Sequence, residues 1–277
     1  MANRKTIIAL MYDFDKTLCT KDMQEYGFIS NMGMTSGKFW SETDELTKNE
    51  KMDAVLAYMY MMIKKSNQNE KSIHREDFVE LGRNIEYFEG VETWFGRINE
   101  YGKAKNVTVE HYIISSGIKE IIEGSSIGRE FKEIYACEFL YDHNGIAVWP
   151  KTAVNFTEKT QYLFRINKGV LDVTNNSDLN KYTPEDDRRV PFRNMIYIGD
   201  GFTDVPCMKL TKANGGHSIA VYAKRKRQTS LELLTANRVD FVAEANYSQG
   251  SELEKIVFSI IDSAAANEAL IKLKSKK

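Results

Sequence analysis

Ile7-Ile8-Ala9-Leu10-Met11-Tyr12-Asp13-Phe14-Asp15-Lys16-Thr17 decides the fold: an unbroken apolar run leads straight into two aspartates one residue apart. Far along the chain the pattern returns in Met195-Ile196-Tyr197-Ile198-Gly199-Asp200-Gly201-Phe202-Thr203-Asp204. Each stretch predicts a buried strand that ends and then delivers carboxylates. In an open α/β sheet, the crevice at the carboxyl ends of the strands is where ligands bind. Four acids converging there would repel one another unless a cation sat among them. The two stretches together predict a metal-dependent phosphoryl-transfer site.

Working outward, further short apolar runs at residues 109–114, 218–222 and 240–243 predict strands covered on both faces. Amphipathic segments at 91–100, 118–122, 158–167 and 228–237 are suited to crossover helices. Alternating strands and helices predict a parallel α/β sheet, a Rossmann-like core. Residues 251–273 carry Leu253, Ile256, Val257, Ile260 and Ile261 at helical spacing, which predicts a closing surface helix with a frayed, lysine-rich tail. Residues 18–90 differ: they hold no β-rich run and no proline. They predict an all-helical insert, so that residues 1–17 and 91–277 form the core and 18–90 a cap. The methionine-rich stretch Leu56-Ala57-Tyr58-Met59-Tyr60-Met61-Met62-Ile63 is expected in the interior of that helical bundle. A small β-hairpin is expected where residues 135–139 and 146–149 flank Asp142-His143-Asn144-Gly145. The polar stretch 175–189 predicts an exposed loop longer than most.

The 277 residues suit one large domain or a core plus a smaller module. With 42% hydrophobic and 28% charged residues, a packed globular protein is expected. A net charge of −1 gives no bulk field for nucleic acid, although a local basic patch is compatible with it. Cys19, Cys137 and Cys207 are scattered and form no CxxC pair, which predicts neither disulfides nor a zinc site and favours a reducing compartment. Met1-Ala2-Asn3-Arg4-Lys5 leads into a run too short for a signal peptide or membrane span. A cytoplasmic protein is expected, with neither membrane nor nucleic acid as partner. The sequence assigns no oligomeric state.

An ionised Asp13 would attack phosphorus and form an aspartyl-phosphate, dividing hydrolysis into two displacements. Asp15 points to the same side of an extended strand end. It would protonate the leaving oxygen and then deprotonate water, a role that needs the raised pKa that neighbouring acids provide. Asp200 would complete a Mg²⁺ site with Asp13, a backbone carbonyl and waters, since magnesium takes octahedral oxygen ligation with few carboxylates. Asp204, one helical turn on, would be a direct ligand or a partner of one. The metal set is therefore Asp13, Asp15, Asp200 and Asp204. Phosphate would be held by the Ser115 hydroxyl and by the amides of Ser116 and Gly117, placed at a helix N-terminus. A lysine should balance the charge of the transferring group. Lys159 is the best placed, with Lys168 as the fallback. Aspartates at strand ends and Ser-Ser-Gly also serve as plain helix caps.

In sequence order these residues resemble the haloacid dehalogenase-like hydrolase superfamily across most of the chain. Asp13-x-Asp15-x-Thr17 looks like its first motif, Ser115 its second and Lys159 its third. Gly199-Asp200-Gly201-x-x-Asp204 looks like its fourth. The resemblance implies a nucleophilic Asp13 and an acid/base Asp15. It also implies Mg²⁺ bound by Asp13, the backbone carbonyl of Asp15 and Asp200. Phosphatases of the superfamily carry aspartate at the second position, dehalogenases do not, and P-type ATPases have threonine, so Asp15 points to a phosphatase. The insert after the first motif resembles the superfamily's C1-type cap, in a layout similar to phosphoserine phosphatases. Two positions depart from that layout: Asp22 stands where a substrate-reading glutamate is usual, and Thr203 where asparagine is. They bear on the substrate rather than on phosphoryl chemistry. Lys16, Lys21, Asp22 and Arg83 are candidate substrate contacts. The expected function is hydrolysis of a small phosphorylated metabolite. A phosphotransferase using the same aspartyl-phosphate and a non-catalytic phospholigand binder stay open beside it.

Overall fold

The computed structural model describes residues 6–274. Seven strands form one sheet: β1 (Thr6–Tyr12), β2 (Val107–Ile118), β3 (Glu133–Tyr141), β4 (Ala147–Thr152), β5 (Met195–Gly199), β6 (His217–Tyr222) and β7 (Phe241–Glu244). Their order is β4-β3-β2-β1-β5-β6-β7. All neighbours are parallel except β3 and β4, the expected hairpin. β1 lies centrally because its side chains are apolar towards both faces, and Ile8 to Tyr12 are fully buried. It pairs with β2 (Ile8↔Val109) and with β5 (Tyr12↔Ile198). The chain leaves β1 for β2 on one side and later returns to β5 on the other. A crevice therefore opens between the carboxyl ends of β1 and β5, at the topological switch point.

Four helices follow β1: α1 (Phe28–Asn31), α2 (Ser36–Glu50), α3 (Ala54–Gln68) and α4 (Arg75–Leu81). No strand occurs among them. The segment departs and returns through one doorway, where Thr20 N donates to Glu86 O (3.0 Å) and Phe88 N to Leu18 O (3.0 Å). Met59, Met61 and Met62 of α3 are buried with Val55, Ala57 and Tyr58, as a bundle interior requires. The insert packs on the sheet's other elements: Phe78 of α4 stacks on Phe139 of β3 with ring centroids 5.6 Å apart. α4 also crosses the helix after β2 so closely that a Cβ on Gly124 would lie 1.9 Å from Val79 O.

The remaining helices are α5 (Val91–Ala104), α6 (Lys119–Gly124), α7 (Lys159–Lys168), α8 (Asn176–Asn180), α9 (Val205–Ala213), α10 (Gln228–Thr235) and α11 (Glu252–Lys274). Trp94, Phe95 and Ile98 of α5 and Leu253, Val257, Ile260 and Ile261 of α11 are buried stripes at helical spacing. Trp94 Nε1 donates to Tyr12 Oη (2.9 Å), which is in turn 3.0 Å from His111 Nδ1, so the buried polar atoms beneath β1 satisfy one another. In the hairpin turn the Asp142 carboxylate accepts from the amides of Asn144 and Ile146, and Gly145 takes φ +75°. No helix among the described residues is long and apolar enough to cross a membrane. The expected frayed tail and the segment Met1 to Lys5 fall on or beyond the limits of the description.

Two expectations are corrected. β2 does not stop at residue 114 but runs to Ile118, with a register shift against β3 between Ile114 and Ile118. Ser115, Ser116 and Gly117 are therefore extended backbone inside a strand, not the start of a helix. Residues 175–189 are not a plain loop: they contain α8 and a 3-10 turn, Glu185–Asp187. Buried Arg165 holds the start of this excursion through the carbonyls of Asp172 (2.8 Å) and Val173 (3.0 Å) and through Asn176 Oδ1 (2.7 Å).

Candidate active site

Asp13 follows the last residue of β1, and its amide donates to Ile198 O (2.9 Å), which ties the ends of β1 and β5 together. Phe14 turns into the core, fully buried, so Asp13 and Asp15 share the opposite side. Lys159, on the first turn of α7 and almost wholly buried, donates through Nζ to Asp13 Oδ1 (2.8 Å) and to Asp204 Oδ1 (2.8 Å). Asp204 Oδ1 also accepts from Tyr197 Oη (2.8 Å). One carboxylate oxygen from each of Asp13, Asp200 and Asp204 lies within 4.8 Å of the others. Asp200, on the turn after β5, is the least engaged of the three and the most open to solvent.

The electrostatics follow from this crowding. Burial pushes the Asp13 carboxyl up, and the Lys159 ammonium pulls it partway back. Burial raises Asp200, and the charges of Asp204 and Asp13 raise it further. Burial alone would lower Lys159, but the two carboxylates outweigh it and hold the ammonium charged. Among the described residues Asp200 forms no ion pair, and the nearby charges of Lys159 and Lys16 offset its raised pKa only in part, so the cluster is short of positive charge. An all-oxygen donor set with these spacings fits a hard divalent ion of the size of Mg²⁺. Asp13 and Asp200 would hold it. Asp204, already bonded to Lys159 and Tyr197, is placed to anchor the lysine.

Asp15 stands apart from this trio. Its Oδ1 accepts from the amide of Met23 (2.9 Å) and lies 3.6 Å from Cys19 Sγ. Burial, then the charges of Asp22 and Asp13, push its carboxyl well above the ordinary range. Its carboxylate therefore offers no oxygen to the metal cluster, and any contribution by Asp15 to a cation would come through backbone.

The Ser-Ser-Gly element is nearby but built differently from expectation. Ser115 Oγ, buried, accepts from the Gly117 amide (3.0 Å), which removes that amide as an anion donor and leaves the Ser115 hydroxyl hydrogen available. Ser116 Oγ donates to Val154 O (2.7 Å), and Ser116 O accepts from Tyr58 Oη (2.6 Å), a contact from the helical insert. A Cβ on Gly117 would lie 2.1 Å from Met23 Cε and 3.1 Å from Asp15 Oδ2, so the glycine admits the Met23 side chain beside the acid.

The other candidates scatter. Lys16 and Asp22 pair with each other (2.6 Å) close to Asp15. Lys21 pairs with Glu86 (3.2 Å) and Arg83 with Glu80 (2.9 Å). Lys168 donates to Leu179 O and Lys181 O (2.6 and 2.7 Å), so it holds the 175–189 excursion and is not a phosphate ligand. Tyr197, Met23 and Tyr58 are contributors that the motifs did not mark. A tyrosine inside the apolar run of β5 was the one available signal, because a buried hydroxyl demands a partner.

A mostly parallel sheet that gathers acids from the ends of β1 and β5 around one buried lysine defines an α/β protein with a centre ready for a cation and an anion. The chain belongs to the haloacid dehalogenase-like hydrolases, whose family model matches residues 10–209. An uncharacterized protein of Borreliella burgdorferi (strain B31) is 32% identical over 294 residues, covering 94% of this chain and 100% of that protein. Among solved structures, a haloacid dehalogenase family hydrolase from Salmonella enterica serovar Typhi is similar with TM-score 0.56 and 16% identity, over 91% of this chain and 70% of that one. A phospho-aspartyl intermediate analogue of phosphoserine phosphatase is similar with TM-score 0.54 and 13% identity, over 91% and 98%. A probable phosphoserine phosphatase from Vibrio cholerae is similar with TM-score 0.58 and 11% identity, over 95% and 67%. At these identities the likeness is one of fold.

Proposed function

We propose that the protein is a Mg²⁺-dependent phosphatase that hydrolyses a small phosphomonoester through an aspartyl-phosphate on Asp13. The observation that carries this reading is the pairing of two differently treated carboxyls. Asp13 is bonded to a buried ammonium and kept available as an anion, while Asp15 is bonded to an amide and pushed towards the protonated form.

With Oδ1 committed to Lys159, the Asp13 carboxylate attacks phosphorus through its other oxygen, and the bond from phosphorus to the leaving oxygen breaks. Asp15 delivers its proton to that oxygen, so the leaving group departs as a neutral alcohol. In the second step a water attacks the phosphorus, the bond from phosphorus to Asp13 breaks, and Asp15 takes the proton. Lys159 and the Ser115 hydroxyl face the charge on the phosphoryl oxygens. Asp204 and Tyr197 keep Lys159 in place and charged. A Mg²⁺ on Asp13 and Asp200, when bound, neutralises the crowded acids and draws charge from the phosphoryl oxygens. The helical insert acts as the cap, packing against Asp15 through Met23 and excluding bulk water from the intermediate.

The test is hydrolysis of p-nitrophenyl phosphate with Mg²⁺ and with EDTA, in the wild type and Asp13→Asn. Turnover that needs Mg²⁺ and is lost in Asp13→Asn is the expected result. Failure to release phosphate from any ester in Mg²⁺, with the protein folded, would leave a phospholigand binder. Phosphate that appears only on an added alcohol would mark a transferase.

A further inference from the structure

The carboxyl ends of β5 and β6 lie side by side, with Gly199 opposite Ala220. The turn after β5 carries Asp200. The turn after β6 carries Lys224-Arg225-Lys226-Arg227, four consecutive cations on the same edge of the sheet as the catalytic acids. All four are exposed. None forms an ion pair with a carboxylate among the described residues, whereas most basic residues around the crevice are paired. Arg227 lies over the ring of Tyr222, its guanidinium carbon 5.7 Å from the centroid.

The backbone of this turn is also unusual. Lys226 N donates to Ala223 O (2.8 Å), and Arg225 takes φ +68°, a left-handed conformation that long side chains rarely adopt. Glycine or asparagine would sit there with less strain. On the turn after β5, Phe202 follows Asp200 and Gly201 with 58% of its surface exposed, an apolar face next in sequence to the acids.

The position narrows the ligand. β6 stands two strand spacings, roughly 10 Å, from β1 at Ala220, the residue level with Asp13, and the cations follow beyond the end of the strand, so they stand farther than that from Asp13. The chain's net charge of −1 offers no broad positive field for a polymer or membrane, so the run acts locally. The crevice itself is rich in acids and repels an incoming anion. We propose that residues 224–227 bind a second phosphate group of the substrate, more than roughly 10 Å from the reacting phosphorus. The substrate class is an elongated molecule carrying two phosphate groups, of the length of a phosphorylated dinucleotide. This proposal rests on the phosphatase reading of the site.

The experiment compares the wild type with K224Q/R225Q/K226Q/R227Q on p-nitrophenyl phosphate, a hexose bisphosphate and a phosphorylated dinucleotide, all in Mg²⁺. Binding of inorganic tripolyphosphate to both proteins is measured by calorimetry in EDTA, where turnover plays no part. The expected result is unchanged kcat/KM on p-nitrophenyl phosphate, a fall of roughly 10- to 100-fold on whichever doubly charged ester the wild type prefers, and weaker tripolyphosphate binding. Lys226→Glu, a single change outside the strained position, should show the same selectivity in smaller measure and covers the case in which the fourfold variant fails to fold. Equal losses on all esters, no loss on the doubly charged ones, or no wild-type preference for them would overturn the proposal. So would a variant that loses binding only to anionic vesicles or RNA. If the wild type hydrolyses no ester, the phosphatase reading falls; tripolyphosphate bound by the wild type but not the variant would still uphold the anion site, and equal binding would remove it.

Discussion

Asp200→Asn should make the metal-free protein more stable while it destroys the cation site. Asp200, Asp13 and Asp204 bring carboxylate oxygens within 4.8 Å of one another. At that separation and an effective dielectric constant of about 20, each like-charge pair costs about 3 kcal/mol. Asp200 faces two such charges, and Lys159, bonded to both of those neighbours, offsets about one of them. After discounting for its partial exposure, the net penalty relieved by the amide is about 2 kcal/mol. For a chain of this size that corresponds to a rise of roughly 5 °C in Tm. The pH sign follows from the raised folded pKa of Asp200, caused first by burial and then by its acidic neighbours. The penalty is absent below the unfolded carboxyl pKa of about 4 and grows above it, so the advantage of Asp200→Asn should shrink as pH falls towards that value. Excess Mg²⁺ should reverse the ordering, because an ion bound only by the folded wild type adds stability by mass action. Thermal unfolding of both proteins in EDTA and in Mg²⁺, at neutral and acid pH, reads all three effects. A metal-free Asp200→Asn protein less stable than the wild type, or equal Mg²⁺ shifts in the two, would refute the argument that these acids form a strained cation centre.

Asp15→Asn should slow turnover on the order of 10²–10⁴-fold and let phosphoenzyme persist with good leaving groups, measured by acid quench; unchanged turnover would remove Asp15 from the acid/base role. Gly117→Ala should leave the fold intact, at a cost of about 1–2 kcal/mol, because the closest clashes of the new Cβ are with the flexible end of Met23, with Asp15 Oδ2 next at 3.1 Å. Its kcat should fall about tenfold or more as Met23 is driven from Asp15, and Gly117→Ala combined with Met23→Ala should recover part of the loss. His111 is buried between Tyr12 and Asn99, and burial lowers its pKa from 6.5 to about 3. The unfolded chain therefore takes up the proton first, and stability is lost as pH falls below about 6.5, by up to about 1.4 kcal/mol per pH unit. His111→Gln should be less stable at neutral pH but lose stability less steeply between about pH 7 and pH 5, as urea midpoints will show.

The strands and the acids were legible because parallel strands buried on both faces read as continuous apolar runs, and β1 and β5 deliver their aspartates at once. Lys159 was legible only by its order in the chain. Its worth lies in two bonds, to residues 146 and 45 positions away, that no local pattern encodes. Ser115, Ser116 and Gly117 carried a helix-cap signal that tertiary structure overrode. Pairing with β3 continues the strand to Ile118, and Gly117 is small because Met23 enters beside it. Lys16, Lys21 and Arg83 looked available for substrate because charge pairing is invisible in sequence. In the fold each has a carboxylate partner. The 175–189 excursion was misjudged for the same reason, since Arg165 and Lys168 order it through backbone carbonyls.

These placements also tie the helical insert to the chemistry. The insert reaches the site through contacts that include Met23 N to Asp15, the Met23 side chain against Gly117, and Tyr58 Oη to Ser116 O. Of these three, two fall on the end of β2 and one on the Asp15 carboxyl. A movement at the doorway formed by Leu18, Thr20, Glu86 and Phe88 that lifted the insert would break all three together. Asp15 would then lose the amide that orients it and gain water, which relieves the burial that raises its pKa. If Asp15 is the proposed general acid, it would be competent only while the insert is down, so proton delivery and exclusion of water would arrive in the same event. On that proposal, substrate selection by the insert and activation of Asp15 would be one equilibrium rather than two.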